Sequence, residues 1–286
     1  MKDIIKKLHW YEIKIRKAVN SHLNGNFSSV FKGTGLEFSD LRTYQYGDDV
    51  RSIDWITTAK GQGAYVKIFK EEKEQTIFFV LDVSASQDVG TNGLLKSEIS
   101  KEVCGVLTLS AIKQSGQVGL LAFSDVKEMY IKPESGMKQA YSIISKIFKL
   151  VPSSKKTNLA DAISFTMNIL KKKSVVILLS DFIDKNYQQN LKALARKHDL
   201  VVLHIYDQRE VNLPSLGIVP VIDPETGNTR WINTFSSIFK TQMAGIFRKN
   251  QINLETLCRQ NNANYLAIEA GTDYVAPLIQ LFSYRK

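Results

Sequence analysis

The chain has 286 residues, 44% of them hydrophobic and 23% charged; this is an ordinary globular composition, long enough for one large domain or two modest ones, and it excludes a disordered chain. Lysine and arginine outnumber aspartate and glutamate by 38 to 28, but the surplus is spread along the whole length, so no nucleic-acid face is marked. The two cysteines, Cys104 and Cys258, lie far apart without a C-x-x-C spacing, which suggests neither a zinc site nor a disulfide framework and fits a reducing, cytoplasmic setting.

The opening stretch MKDIIKKLHWYEIKIRKAVN lacks the continuous apolar core and cleavage site of a signal peptide. Its Ile4, Ile5, Leu8, Tyr11, Ile15 and Val19 recur at helical spacing with lysines between them, which predicts one amphipathic helix. Such a helix packs on its own protein; contact with an anionic membrane surface is the alternative for a basic amphipathic segment. No apolar run in the chain approaches the length needed to span a bilayer.

From Gly25 to Gly63 glycines, aromatics and paired charges follow no clean period, so loops and short strands are expected. Arg42, Asp48, Asp49, Arg51 and Asp54 stand among Tyr44, Tyr46 and Trp55, a mixture that reads as a buried or half-buried polar network. Gly33 and Gly35 form a G-x-G with no strand before it, a weak phosphate-loop signal. Residues 1–74 are read as an N-terminal helix and collar, and 75–286 as a separate domain.

Beyond residue 75 the pattern turns regular. The runs TIFFVL before Asp82, QVGLLAF at 117–123, SVVILLS at 174–180, DLVVLHIY at 199–206 and NYLAIE at 264–269 are apolar on both faces, as strands of a covered parallel sheet are. Between them LLKSEISKEVCGVLTLSAIKQSG and NLADAISFTMNILKKK repeat near 3.6 residues and end at Gly116 or in lysines, as helices do. Alternating strand and helix predict an α/β fold with a doubly wound, mostly parallel sheet flanked by helices. The segment VPVIDPETGNTRWI at 219–232 sets turn residues between two apolar arms, which predicts a β-hairpin inserted near 211–235.

Ligands of open α/β sheets bind at the carboxyl ends of the strands. Three places there carry polar side chains: Asp82, Ser84 and Ser86; Thr157 with Asn158, just before the helix starting near Leu159; and Ser180 with Asp181. These are oxygen donors only. No lysine clearly belongs among them, and His9, His22, His198 and His204 are assigned to packing or solvent. Oxygen sets suit hard cations, Mg²⁺ or else Mn²⁺ or Ca²⁺. Asp, Ser and Thr are also the favoured helix caps and turn residues, so each place has a purely structural reading too. Lys155 and Lys156 precede Thr157, and their ammonium groups oppose a cation.

The D-x-S-x-S at Asp82, Ser84 and Ser86, with Thr157 and Asp181 downstream, resembles the metal-ion-dependent adhesion site of von Willebrand factor A-type domains. By that likeness Ser84, Ser86 and Thr157 contact the metal, while Asp82 and Asp181 act through water or orient the hydroxyls. Such domains bind partners and transform no substrate, so the implied chain is not an enzyme. Upstream, GTGLEFSDLR, YQYGDD and RSIDW within 33–55 resemble the bacterial family called domain of unknown function 58 over nearly the whole chain. That resemblance implies a MoxR-type AAA+ ATPase and other von Willebrand A-type proteins as partners, in chaperone-like assembly or maturation; the diffuse charge surplus, by contrast, is what argues against a nucleic-acid partner. The alternatives are a metal-dependent phosphoester hydrolase using Asp82 and Asp181, although Ser84 stands where a second carboxylate would be expected, and a purely structural adaptor with a degenerate metal site.

Overall fold

A computed structural model of the chain describes residues 36–61, 63–71, 75–91, 94–114, 116–212, 214–222 and 227–283, together with residues 6, 10 and 13. Lys6, Trp10 and Ile13 are helical; the rest of the expected opening helix, with His9, His22, Gly33 and Gly35, lies outside the described residues. The fold divides into a small unit, Phe31–Gln75, and a large one that holds Thr76–Lys286.

In the small unit, β1 (Leu36–Thr43) and β2 (Tyr65–Glu71) pair antiparallel, with a register shift between Phe38 and Asp40. Between them Asp49 caps a single 3₁₀ turn, and Asp54 caps the one-turn helix α1 (Trp55–Thr58) by accepting from Ile56 N and Thr57 N. Arg42 Nη2 donates to Asp48 Oδ1 at 2.7 Å, and this bond holds the Asp48 carboxyl below its usual range. The expected buried or half-buried network is therefore present at Arg42, Asp48 and Asp54 but not at Asp49 or Arg51. Arg42, Asp48 and Asp54 are half-buried, whereas Asp49, Arg51, Tyr46 and Trp55 are exposed. A unit of this size has too little interior to enclose them all, and Asp49 and Asp54 serve as caps.

The large unit is built on six strands in the order β12-β9-β8-β3-β6-β7. These are β3 (Thr76–Asp82), β6 (Gln117–Phe123), β7 (Lys127–Glu134), β8 (Val175–Ser180), β9 (Asp199–Tyr206) and β12 (Asn264–Glu269). The two-residue strands β4 (Gly90–Thr91) and β5 (Leu94–Leu95) pair with each other, and β10 (Ile218–Ile222) with β11 (Thr229–Asn233) forms the expected hairpin. All five apolar runs are parallel strands of the main sheet. Their composition explains this: Ile77 to Leu81 and Val175 to Leu179 are fully buried on both faces. Each such side chain contributes roughly 1.5–3 kcal/mol, more than the roughly 1 kcal/mol net of an ordinary hydrogen bond, so burial places the central strands. β7 was not marked by an apolar run. It is an antiparallel edge strand, burying little besides Ile131 and carrying Pro133, as an edge permits.

The helices are α2 (Lys96–Lys113), α3 (Met137–Lys149), α4 (Leu159–Ile169), α5 (Gln188–Lys197), α6 (Gln208–Val211), α7 (Ser237–Gln260) and α8 (Val275–Ser283). Phe78, Val80, Val176, Leu178 and Val202 pack with Leu159, Ile163, Leu191, Leu194 and Leu254, which places α4, α5 and the C-terminal part of α7 on one face. Helices α2 and α3 contact the sheet from the other side. α2 departs from the expected one-sided pattern, since it is buried nearly all round, polar Ser100, Glu102 and Thr108 included. The Tyr274 hydroxyl, just before α8, satisfies Glu102 at 2.6 Å. Among the described residues no helix is long and apolar enough to cross a membrane.

From β3 the chain winds outward to β6 and β7, then returns to the opposite side of β3 as β8 and continues to β9 and β12. Adjacent loops after β3 and β8 thus leave in opposite directions and open a crevice at the carboxyl end of the sheet.

Candidate functional site

The crevice between β3 and β8 is closed at its base by one carboxylate. Asp82 ends β3 at 1% exposure; its Oδ1 accepts from Ser84 N at 3.0 Å and Ser84 Oγ at 2.7 Å, and its Oδ2 from Ser180 Oγ at 2.6 Å. An aspartate that turns back on the second residue after it is a local turn former, here used to aim Ser84. The Ser84 and Ser86 hydroxyls are 3.1 Å apart. Ser180 in turn accepts from Phe182 N at 3.0 Å, and Phe182 holds φ 56°, a left-handed conformation uncommon for a bulky residue and frequent at functional sites.

The Thr157 loop reaches the same rim. Ala85 N donates to Lys155 O at 3.0 Å and Asn158 N to Ser124 O at 3.2 Å, so Thr157, half-buried, lies in a strap across the ends of β3 and β6. Glu128 of β7 anchors that strap by accepting from Ser153 N and Oγ, Ser154 N and Ser124 Oγ at 2.7–3.0 Å. Asp184 Oδ2 accepts from Leu159 N at 2.7 Å, where α4 begins.

Asp181 has a partner that the sequence reading did not foresee. Its Oδ2 accepts from Lys96 Nζ at 2.8 Å, its Oδ1 from Ile183 N at 3.2 Å, and the same ammonium meets Glu210 Oε1 at 2.5 Å. Lys96 is 0% exposed. Glu210 belongs to a capping box: its Oε2 accepts from Asp207 N while the Asp207 carboxylate accepts from Arg209 N. Thr91 Oγ1 donates to that same Asp207 at 2.7 Å. One signal for Lys96 was present in the sequence, because a lysine at the first position of a helix sits where the dipole opposes it. D-Q-R-E at 207–210 likewise has the spacing of a capping box.

His204 also lies nearer the rim than its assignment to ordinary packing implied. Its Nδ1 is 2.9 Å from Tyr265 Oη, and its ring stacks on Phe247 and meets Phe182 edge-on. With Asp181 and Tyr187, His204, Phe182 and Phe247 line a 210 Å³ cavity beside the crevice. Burial pushes the imidazole down to about 4, so it is neutral at neutral pH and serves as a packed aromatic.

Electrostatics follow from the same burial. Burial, then the neighbouring Asp181, push Asp82 up to about 7 against the hydrogen bonds from Ser180 and Ser84. For Lys96 burial opposes the charge, but Asp181 and Glu210 outweigh it and the ammonium is held above its ordinary range. Glu210 is raised by burial despite Lys96.

The hydroxyl side of this set fits a hard cation. Adjacent oxygens on an octahedral ion with bonds of about 2.1 Å stand about 3.0 Å apart, close to the Ser84 to Ser86 separation. Because Ser84 gives its proton to Asp82, its lone pairs are available. Among the described residues no group of three or more His, Cys, Asp or Glu side chains is arranged to hold a metal ion, so such a site would rest mainly on hydroxyls.

Relatives across nearly the whole length include uncharacterized proteins of Mycobacterium tuberculosis and Mycobacterium bovis, each 23% identical over 282 residues, 98% of this chain and 89% of theirs. Among solved structures, the conserved hypothetical protein BatB from Bacteroides thetaiotaomicron is 16% identical with a TM-score of 0.49, over 73% of this chain and 97% of its own. The SpRpn10 VWA domain is 10% identical with a TM-score of 0.42, over 72% and 94%. The profile of the family described as protein of unknown function DUF58 matches residues 40–252, and the chain belongs to that family.

Proposed function

We propose that this chain is a non-enzymatic protein-interaction module whose rim holds a divalent cation, Mg²⁺ in the first instance, and engages partner proteins. The observation that carries the reading is the convergence of Ser84 and Ser86, 3.1 Å apart and oriented by Asp82, at the sheet's switch point. Ser84, Ser86 and Thr157 would hold the ion; Asp82 orients Ser84, and Asp181 would act through water. When bound, such an ion supplies an open, electrophilic position that a partner's carboxylate can fill, since neutral hydroxyls leave its charge largely unsatisfied. Asp82 is poorly disposed to act as the nucleophile of a phosphoester hydrolase, because both its oxygens already accept hydrogen bonds inside the fold.

The likeness to the family called domain of unknown function 58 extends the reading to a cytosolic adaptor of a MoxR-type AAA+ ATPase, acting with other von Willebrand A-type proteins in complex assembly. The test is association of the purified chain with the recombinant MoxR-type ATPase of its own organism, measured in Mg²⁺, in chelator and with Ser84→Ala. Binding that needs Mg²⁺ and Ser84 supports the reading. Equal binding in all three arms removes the metal from it, and no binding in any arm removes this partner.

A further inference from the structure

A fully buried lysine is a rare and costly group unless paired, and Lys96 carries a second penalty from the helix end on which it sits. Both are offset by two carboxylates, Asp181 from the end of β8 and Glu210 from α6. Those carboxylates are fixed in turn, Asp181 by Ile183 N and Glu210 by Asp207 N. The lysine backbone is pinned as well, since Lys96 N donates to Val89 O at 3.0 Å, just beyond a 3₁₀ turn, Ala85–Asp88, that carries Ser86. The ammonium therefore has a single place, with Asp181 in its hold.

We propose that Lys96 is a tethered cation built into the candidate metal site, holding Asp181 as its own counter-ion and thereby weakening divalent-ion binding at Ser84 and Ser86. The proposal rests on the metal reading of the preceding section and deepens it. An ion brought to the two hydroxyls meets an Asp181 whose charge is already offset by the Lys96 ammonium, which Asp181 shares with Glu210. It is also repelled by the ammonium itself. At the effective dielectric of a buried site, one charge several ångströms away changes the affinity of a divalent ion by about tenfold or more. Lys96 thus sets the threshold concentration at which the rim is occupied, and it keeps the Asp181 loop in place at lower concentrations.

The test uses the full chain, with Mn²⁺ as the probe followed by electron paramagnetic resonance of the free ion, and with Mg²⁺ followed by thermal unfolding. Lys96→Met is expected to bind Mn²⁺ at least tenfold more tightly than the wild-type chain. Mg²⁺ is expected to raise the unfolding midpoint of the variant more than that of the wild type, because the metal replaces the deleted charge. Lys96→Met strands two buried carboxylates, so Lys96→Met with Glu210→Gln, which removes one of them, is measured in parallel and should show the same gain. Loss of that gain on adding Ser84→Ala assigns the ion to the hydroxyl set. Equal Mn²⁺ affinity with and without Lys96 overturns the tethered cation and leaves the metal reading standing. Absence of Mn²⁺ binding in every variant overturns both, and a gain indifferent to Ser84 places the ion elsewhere and overturns the proposal.

Discussion

Ser180 is the joint between the two loops that define the crevice, and replacing it tests the construction without touching a proposed metal-contacting hydroxyl. In Ser180→Ala two bonds go: the 2.6 Å donation to Asp82 Oδ2 and the 3.0 Å acceptance from Phe182 N. At pH 8.5, above the value of about 7 to which burial pushes Asp82, the first is a hydrogen bond to a charged group, worth about 1.5–3 kcal/mol. Leaving Phe182 N without its acceptor adds about 1 kcal/mol at least. The sum is about 3 kcal/mol, and at roughly 2–4 °C per kcal/mol for a domain of this size the midpoint should fall by about 6–12 °C. Thermal and urea unfolding measure it, and a double-mutant cycle with Asp82→Asn isolates the pair, with an expected coupling of about 1.5 kcal/mol or more. A midpoint within about 2 °C of the wild type, or a coupling near zero, would refute the claim that this bond ties β3 to β8.

Two further substitutions probe features away from that joint. A Cβ at Gly90 would lie 2.0 Å from the Leu94 carbonyl oxygen, so Gly90→Ala must push β4 from β5 just ahead of Lys96; a loss of about 3 kcal/mol is expected in urea unfolding, and a loss below about 0.5 kcal/mol contradicts the close approach. His198, buried with Nδ1 accepting from Ser174 N, is pushed down from 6.5 to about 4 by burial and then by Lys197. The unfolded chain therefore takes up a proton that the folded one refuses, and stability is full above pH 6.5 and falls as the pH drops through 4. His198→Gln should flatten that fall between pH 6.5 and 4 in a series of thermal unfolding curves, and an unchanged slope assigns the acid sensitivity to other groups.

The five parallel strands were legible because their burial is two-sided. A strand such as VVILLS must be apolar at every position, and no other common element of that length asks for this. The hairpin was legible from its turn residues. β7 was not, because KPE at its end and Lys127 at its start belong to an edge that faces water, and an edge strand needs only a weak alternation. The near-complete burial of α2 was hidden for the opposite reason. Its serines, threonine and Glu102 look like a polar face, and Glu102 finds its partner, the Tyr274 hydroxyl, only across the fold.

At the site, Asp82, Ser84 and Ser86 could be read as a unit because a loop of five residues brings them together locally, and the strand before them sets the rim on which they stand. Asp181 could be placed on that rim by the same rule. Lys96 and Glu210 could not, since 85 and 114 residues of chain separate Lys96 from its two partners. Local composition determined the sheet, its helices and the oxygen donors at its edge, because hydrophobic period and turn chemistry act over a few residues. The tertiary structure alone decided which charges meet those donors: winding β8 and β9 beside β3 brings a lysine from the start of α2, an aspartate from the end of β8 and a glutamate from α6 together, and there an ion pair forms because a buried charge is costly unless paired.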